Sequence, residues 1–167
     1  MSDLAVNHHA DHHGFSGVPG SLFALARVAA SNGARVTGVD PSASMLRVAR
    51  AVTRRRAAIS WAEGSAESLP VADGSATVVW ALATVHHWQD VDAGIAEAQR
   101  VLAPGGRLLA VERQSPPGAT VVASHGWTRD QAEAFAALCR SKGMVDVDVE
   151  NRHAGRKAVW AVSATLR

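Results

Sequence analysis

From residue 34 onward, short apolar runs alternate with amphipathic stretches, the pattern of strands and helices alternating around a parallel sheet. Arg35 to Asp40 predicts a strand ending in an acid. Pro41 and Ser42 then open a helix, with Met45, Val48, Ala49 and Val52 at the spacing of one helical face. Ala58 to Glu63 predicts a second strand, Ala76 to Leu82 a third and Arg107 to Glu112 a fourth. Between the last two, Val91, Ile95, Ala98 and Leu102 mark a crossover helix ended by Pro104, Gly105 and Gly106.

The C-terminal third changes character at Ser115-Pro-Pro-Gly118, where a long functional loop is expected. Thr128 and Gln131 form a capping-box pattern, and Ala132, Phe135, Ala136 and Cys139 line one face of the helix that follows. After Gly143, Val145, Val147 and Val149 alternate with Asp146, Asp148 and Glu150, so this strand should bury one face only. A turn at His153 to Gly155 leads to a last strand from Lys157 to Ala164. The organisation expected is a His-rich segment and helix over residues 1–33, followed by an α/β sheet over 34–167, within a single domain overall.

Composition narrows the function. The single cysteine, Cys139, excludes an intramolecular disulfide framework and a multi-cysteine metal site, which fits a reducing compartment and a cytoplasmic protein. No run approaches the 18 or more apolar residues of a membrane span, and the N-terminus lacks a cationic segment leading into an apolar one. The pI of 9.3 comes from a formal excess of only +2, in a chain without tyrosine to titrate above neutrality. The one dense basic run, Arg54 to Arg56, follows a helical segment, where cations favour a helix end. No nucleic-acid or membrane partner is therefore expected; a small-molecule substrate is.

The candidate chemistry sits at the carboxyl ends of the predicted strands, where open α/β sheets bind ligands. Asp40 can accept hydrogen bonds from both hydroxyls of a ribose, and two further loops follow the second and third strands. Gly38-Val-Asp-Pro-Ser-Ala-Ser-Met-Leu46, Gly64-Ser-Ala-Glu-Ser-Leu-Pro-Val-Ala-Asp-Gly-Ser75, Thr84-Val-His-His-Trp88 and Arg100-Val-Leu-Ala-Pro-Gly-Gly-Arg107 stand in order along the chain. Together they resemble successive blocks of the S-adenosylmethionine-dependent methyltransferases, of the methyltransferase type 11-like group, closely over residues 33 to 112.

The resemblance implies a Rossmann-like sheet with helices on both faces, mostly parallel with an antiparallel C-terminal strand, and S-adenosyl-L-methionine as cofactor. Asp40 would hold the ribose, Met45 would lie near the adenine, and Ser65 with Ala66 would face the adenine edge. Ala81 and Leu82 would pass beneath the methionine portion. His86 and His87 would open toward a small or lipophilic acceptor, where one could take a proton. Trp88 and Trp127 could form an apolar acceptor pocket with His125.

Two departures stand out. The family usually has an aspartate where Ser65 stands, and a hydroxyl accepts more weakly than a carboxylate. Upstream, the family has a first strand and a Gly-x-Gly-x-Gly loop, of which no good copy exists here; Gly14, Gly17 and Gly20 are the nearest candidates. Three arrangements fit: a degenerate first strand at Leu4 to Val6, a domain without that strand, or an internal deletion near Arg27 and Val28. The third is favoured, because Val28 to Val36 looks like a helix end joined to its own strand. A strand degenerate or missing in this way implies weakened cofactor binding. An empty central position would also admit a second copy's strand, giving a homodimer by exchange.

His8, His9, His12 and His13 have helical i, i+4 spacing, but with only Asp11 nearby they suit adventitious metal, so no metal site is expected. Trp61, Trp80 and Trp160 fall in predicted strands and should pack in the core, as should Cys139. Two rival functions follow from the same residues. One is a non-catalytic remnant of the fold serving as a binding or dimerisation module. The other is a nucleotide-dependent oxidoreductase, whose Gly-x-Gly-x-x-Gly fingerprint is equally absent.

Overall fold

The computed structural model describes residues 3–7, 19–53, 58–118 and 125–167. Its elements run β1 (Asp3–Asn7), α1 (Pro19–Ser31), β2 (Arg35–Asp40), α2 (Ala43–Thr53), β3 (Ile59–Glu63) and β4 (Ala76–Leu82). A 3₁₀ turn at Val85–His87 follows, then α3 (Val91–Val101), β5 (Leu102–Arg113), α4 (Arg129–Ser141), β6 (Val145–Ala154) and β7 (Lys157–Thr165). The strands form one seven-stranded sheet in the order β3-β2-β1-β4-β5-β7-β6. Every pairing from β3 across to β5 is parallel, and β7 runs antiparallel to both β5 and β6. The Rossmann-like architecture expected from the sequence is thus the one observed.

Alternation of side chains along β4 builds a core on each face of the sheet. Val79 and Ala81 join a core with Ile95 and Ala98 of α3 and with Phe135 and Cys139 of α4. Val78, Trp80 and Leu82 face the other way, onto a smaller core around Ala26 of α1, Val36 and Ile59. The same alternation places Val39 in the first core and Val36 in the second. β4, whose side chains enter both cores, accordingly reads as a nearly continuous apolar run, broken only by Thr77.

Of the three arrangements, the short first strand at Leu4 to Val6 is the one observed, as β1, and the favoured internal deletion is corrected. β1 occupies the centre of the sheet, Val6 pairing with Gly38 on one side and with Trp80 on the other. A strand hydrogen-bonded along both edges needs only five residues, because its neighbours supply two complete ladders. α1 also runs unbroken through Arg27 and Val28, where the sequence suggested a junction. With the central position filled by the chain itself, the premise for a homodimer by strand exchange is gone.

Two helix details also differ from expectation. In α2 the buried residues are Leu46, Ala49 and Thr53, while Val48 and Val52 are about half exposed. Thr53 is satisfied in the interior because its hydroxyl donates to the Ala49 carbonyl (2.6 Å) and accepts from Trp61 Nε1 (2.8 Å). That pair rotates the helix away from the face drawn through its valines. At α3 the strand begins with Leu102 directly after the helix, since Leu102 already pairs with Ala76. By contrast, the capping box at Thr128 and Gln131 forms as expected, and the whole predicted face of α4 is buried.

Candidate functional site

Strand order reverses direction between β1 and β4, the place where open α/β sheets open a crevice at their carboxyl edge. Asp40 ends β2 at that edge, 4% exposed, its Oδ1 accepting from the Ser42 amide at 2.7 Å. Met45 is half-buried in the first turns of α2. After β3, Ser65 to Ser68 close a tight turn through reciprocal backbone hydrogen bonds of 3.3 Å, with Ala66 buried. Ala81 is fully buried at the end of β4 and Leu82 is partly covered. Gly20 lies in the first turn of α1, whereas Gly17 and His8 to His13 fall outside the described residues.

The chain leaves β4 through Ala83, a non-glycine residue at φ 51°, held by a hydrogen bond from its amide to the Val111 carbonyl (2.7 Å). A positive φ at alanine is strained, and here it turns the following residues back over the end of β5. The 3₁₀ turn then presents its amides to Glu112, a carboxylate only 1% exposed at the end of β5. Glu112 Oε1 accepts from the Val85 amide at 2.7 Å and the His86 amide at 3.4 Å, while Oε2 lies 2.9 Å from His86 Nδ1. The contact pairs the Nδ1 side of the His86 ring with the buried carboxyl group and leaves Nε2 as the ring nitrogen on the other side.

His87 and His125 complete a cluster around His86. The ring of His86 lies 3.9 Å from that of His87 and 5.7 Å from that of His125, and His87 and His125 are 5.8 Å apart. His125 reaches this place because the chain returns beside the end of β5. Trp127 donates its amide to the Arg113 carbonyl (2.9 Å), Ser115 donates to the Trp127 carbonyl (2.8 Å), and Arg113 Nη2 donates to the His125 carbonyl (3.2 Å). Gly126 between them has φ 149°, and a Cβ there would lie 2.3 Å from the Arg113 carbonyl oxygen. The two tryptophans lie deeper. Trp127 is buried against Phe135, their ring centres 5.0 Å apart, and Trp88 packs on Gly94 with its Nε1 buried and without a hydrogen-bond partner.

Sequence reasoning passed over Glu112, Glu67 and Arg100. Glu112 carried the same signal as Asp40, an acid closing an apolar strand, but its target could not be read before the turn after β4 was placed. Glu67 accepts from the Gln89 and Asp90 amides at 2.9 and 3.3 Å. Burial pushes its carboxyl up, but hydrogen bonds from its own backbone, the Ser65 hydroxyl and those two amides outweigh this and hold it below the ordinary carboxylate value. Cys139 shows the opposite case: burial pushes its thiol up to about 11, consistent with a core residue. Among the described residues, no group of three or more His, Cys, Asp or Glu is disposed to hold a metal ion. Among the same residues, no helix is long and apolar enough to cross a membrane.

A family model described as a methyltransferase domain matches residues 19–110. The chain belongs to that family, the S-adenosylmethionine-dependent methyltransferases of Rossmann-like type. Over 128 residues it is 35% identical to the ubiquinone/menaquinone biosynthesis C-methyltransferase UbiE of Rubrivivax gelatinosus, covering 70% of this chain and 50% of that relative. It is 42% identical over 90 residues to the uncharacterized protein YafE of Escherichia coli, covering 53% of this chain and 44% of that one. The chain spans about half the length of the curated relatives it matches.

Among solved structures, an Aquifex aeolicus SAM-dependent methyltransferase superposes with a TM-score of 0.74 at 14% identity, covering 100% of this chain and 82% of that one. Phosphoethanolamine N-methyltransferase 2 of Haemonchus contortus, solved in complex with S-adenosyl-L-methionine, gives 0.73 at 17% identity, covering 99% and 48%. At such identities these methyltransferases share the fold with this chain.

Proposed function

We propose that this chain transfers a methyl group from S-adenosyl-L-methionine to a small or lipophilic acceptor, with His86 as the group that takes the acceptor's proton. The observation that carries the proposal is the buried Glu112 carboxylate fixing both the backbone and the Nδ1 side of His86. Aimed this way, Nε2 can accept a proton from the acceptor's nucleophilic atom, and the imidazolium that forms is stabilised by the adjacent carboxylate. His87 and His125 stand close enough to bind the same acceptor. Trp88 and Trp127 lie behind the histidines in the core, the apolar side from which an acceptor pocket would be built.

The residues at the edge of the sheet fit the cofactor. A buried carboxylate at the end of β2 suits a ribose diol, and buried Ala66 with half-buried Met45 offers an apolar wall for a purine. Ser65 would meet the adenine edge, Ala81 and Leu82 would underlie the methionine portion, and Gly17 and Gly20 are the candidates for the backbone cradle. When bound, S-adenosylmethionine supplies an electrophilic methyl group on a sulfonium. The protein's part is alignment and acceptance of the proton.

Lowered cofactor affinity belongs to the same proposal. It rests on the missing Gly-x-Gly-x-Gly pattern and on serine in place of a carboxylate at position 65. Isothermal titration of the untagged chain with S-adenosylhomocysteine, repeated on Asp40→Ala, tests it. Measurable binding lost in the variant is expected. No binding by a cooperatively folded chain would overturn the enzyme reading in favour of a remnant acting through its surfaces, and tight binding would overturn the lowered affinity.

A further inference from the structure

One carboxylate touches both halves of the candidate site. Glu67 lies in the Ser65–Ser68 turn after β3, yet its Oε1 accepts from Gln89 and Asp90 on the segment that follows the histidines. The Ser65 hydroxyl, two residues away in the same turn, also favours its ionised form. Asp90 is the N-cap of α3, its own side chain accepting from the Ala93 amide at 3.0 Å, so the Glu67 charge sits where helix polarity favours an anion.

The far end of the same loop is anchored on the same helix. Arg100 of α3 uses all of its guanidinium donors: Nε and Nη2 on the two oxygens of Glu97, Nη2 also on the Leu69 carbonyl, and Nη1 on the Val71 carbonyl and the Asp73 carboxylate. Glu97 Oε2 in turn accepts the Leu69 amide at 2.9 Å, and the Gly74 amide donates to the Arg100 carbonyl at 2.9 Å. Residues 69–74 are thus held to α3, while the Ser65–Ser68 turn is closed by its own reciprocal backbone hydrogen bonds. Glu67 is what ties that turn to the neighbouring segment.

We propose that Glu67 is a positioning residue that couples the cofactor seat to the proton acceptor, tying the Ser65–Ser68 turn to the segment that carries His86, His87 and Trp88. The proposal rests on the cofactor reading above. Ordering of the turn by a bound adenine would pass through Glu67 to the amides of Gln89 and Asp90.

The test compares Glu67→Ala with Glu67→Gln, which keeps an oxygen for both amides. Each is titrated with S-adenosylhomocysteine, and amide hydrogen exchange is followed with and without the ligand. In the wild type the ligand should slow exchange in peptides covering 64–69 and 85–90 alike. In Glu67→Ala, protection should persist over 64–69 and vanish over 85–90, with affinity weakened about three- to tenfold by the lost hydrogen bonds. Glu67→Gln should recover most of the protection over 85–90. Ligand protection of 85–90 persisting in Glu67→Ala would overturn the coupling alone. A wild type that binds no ligand would overturn the cofactor reading, and the coupling would fall with it.

Discussion

Glu112 reaches His86 from the end of the adjacent strand, Oε2 to Nδ1 at 2.9 Å, while its other oxygen holds the amides of Val85 and His86. Backbone and ring are thus fixed by one side chain. This explains how a histidine on a turn of three residues can be aimed without support from its own segment.

Glu112→Gln should therefore slow methyl transfer by about a hundredfold or more, because a neutral amide stabilises the imidazolium poorly. His86→Asn should fold normally and lose a comparable amount. The double variant should be little slower than either single one, since the two residues act as a unit. Steady-state kinetics on all three variants checks this, and fully additive losses would show that the pair does not work together. Glu112→Ala should also lower stability by ~1–3 kcal/mol, by leaving buried amides without an acceptor.

Gly126→Ala should be costly in a different way. The added Cβ would press on the Arg113 carbonyl oxygen, which is backbone and cannot swing aside. The expected loss is ~2 kcal/mol or more in chemical denaturation. The His125 ring should leave the cluster, read as a change in the imidazole resonances of His86 and His87.

Stability should depend on pH through Glu97. The hydrogen bond from Arg100 holds its carboxyl below the ordinary value of 4.5, against the opposing pull of burial and with help from the Leu69 amide. A carboxyl lowered by folding contributes stability above its unfolded value, and that contribution is lost as pH falls through the folded value. Denaturant midpoints measured from about pH 6 to about pH 3 should thus decline more steeply for the wild type than for Glu97→Gln. Parallel curves would show that the pair contributes nothing to acid sensitivity.

Cys139 should resist alkylation in the native protein at about pH 8, since its thiol is buried and pushed up to about 11. Labelling with iodoacetamide, followed by mass spectrometry, should proceed only when denaturant is added. Rapid native labelling would show that α4 opens away from the sheet.

The sequence by itself determined most of the frame, because the signals involved are local. An apolar run marks β4, Val36 and Val39 ahead of Asp40 mark β2 and its end at the sheet edge, and the Thr128–Gln131 capping box starts α4. Tertiary structure decided the rest through contacts between distant segments. β1 shows in the sequence only as the short apolar run Leu4 to Val6, one alternative among three, and its central place is settled because β2 and β4 hydrogen-bond to both its edges. The buried face of α2 was set by the pairing of Thr53 with Trp61, which no helical period reveals. Glu112 and Glu67 act on partners 26 or 27 and 22 or 23 residues away, so their roles appear only once the strand ends are brought side by side. A strand can be read from its own side chains; a carboxylate's partner depends on which loops the sheet order makes neighbours.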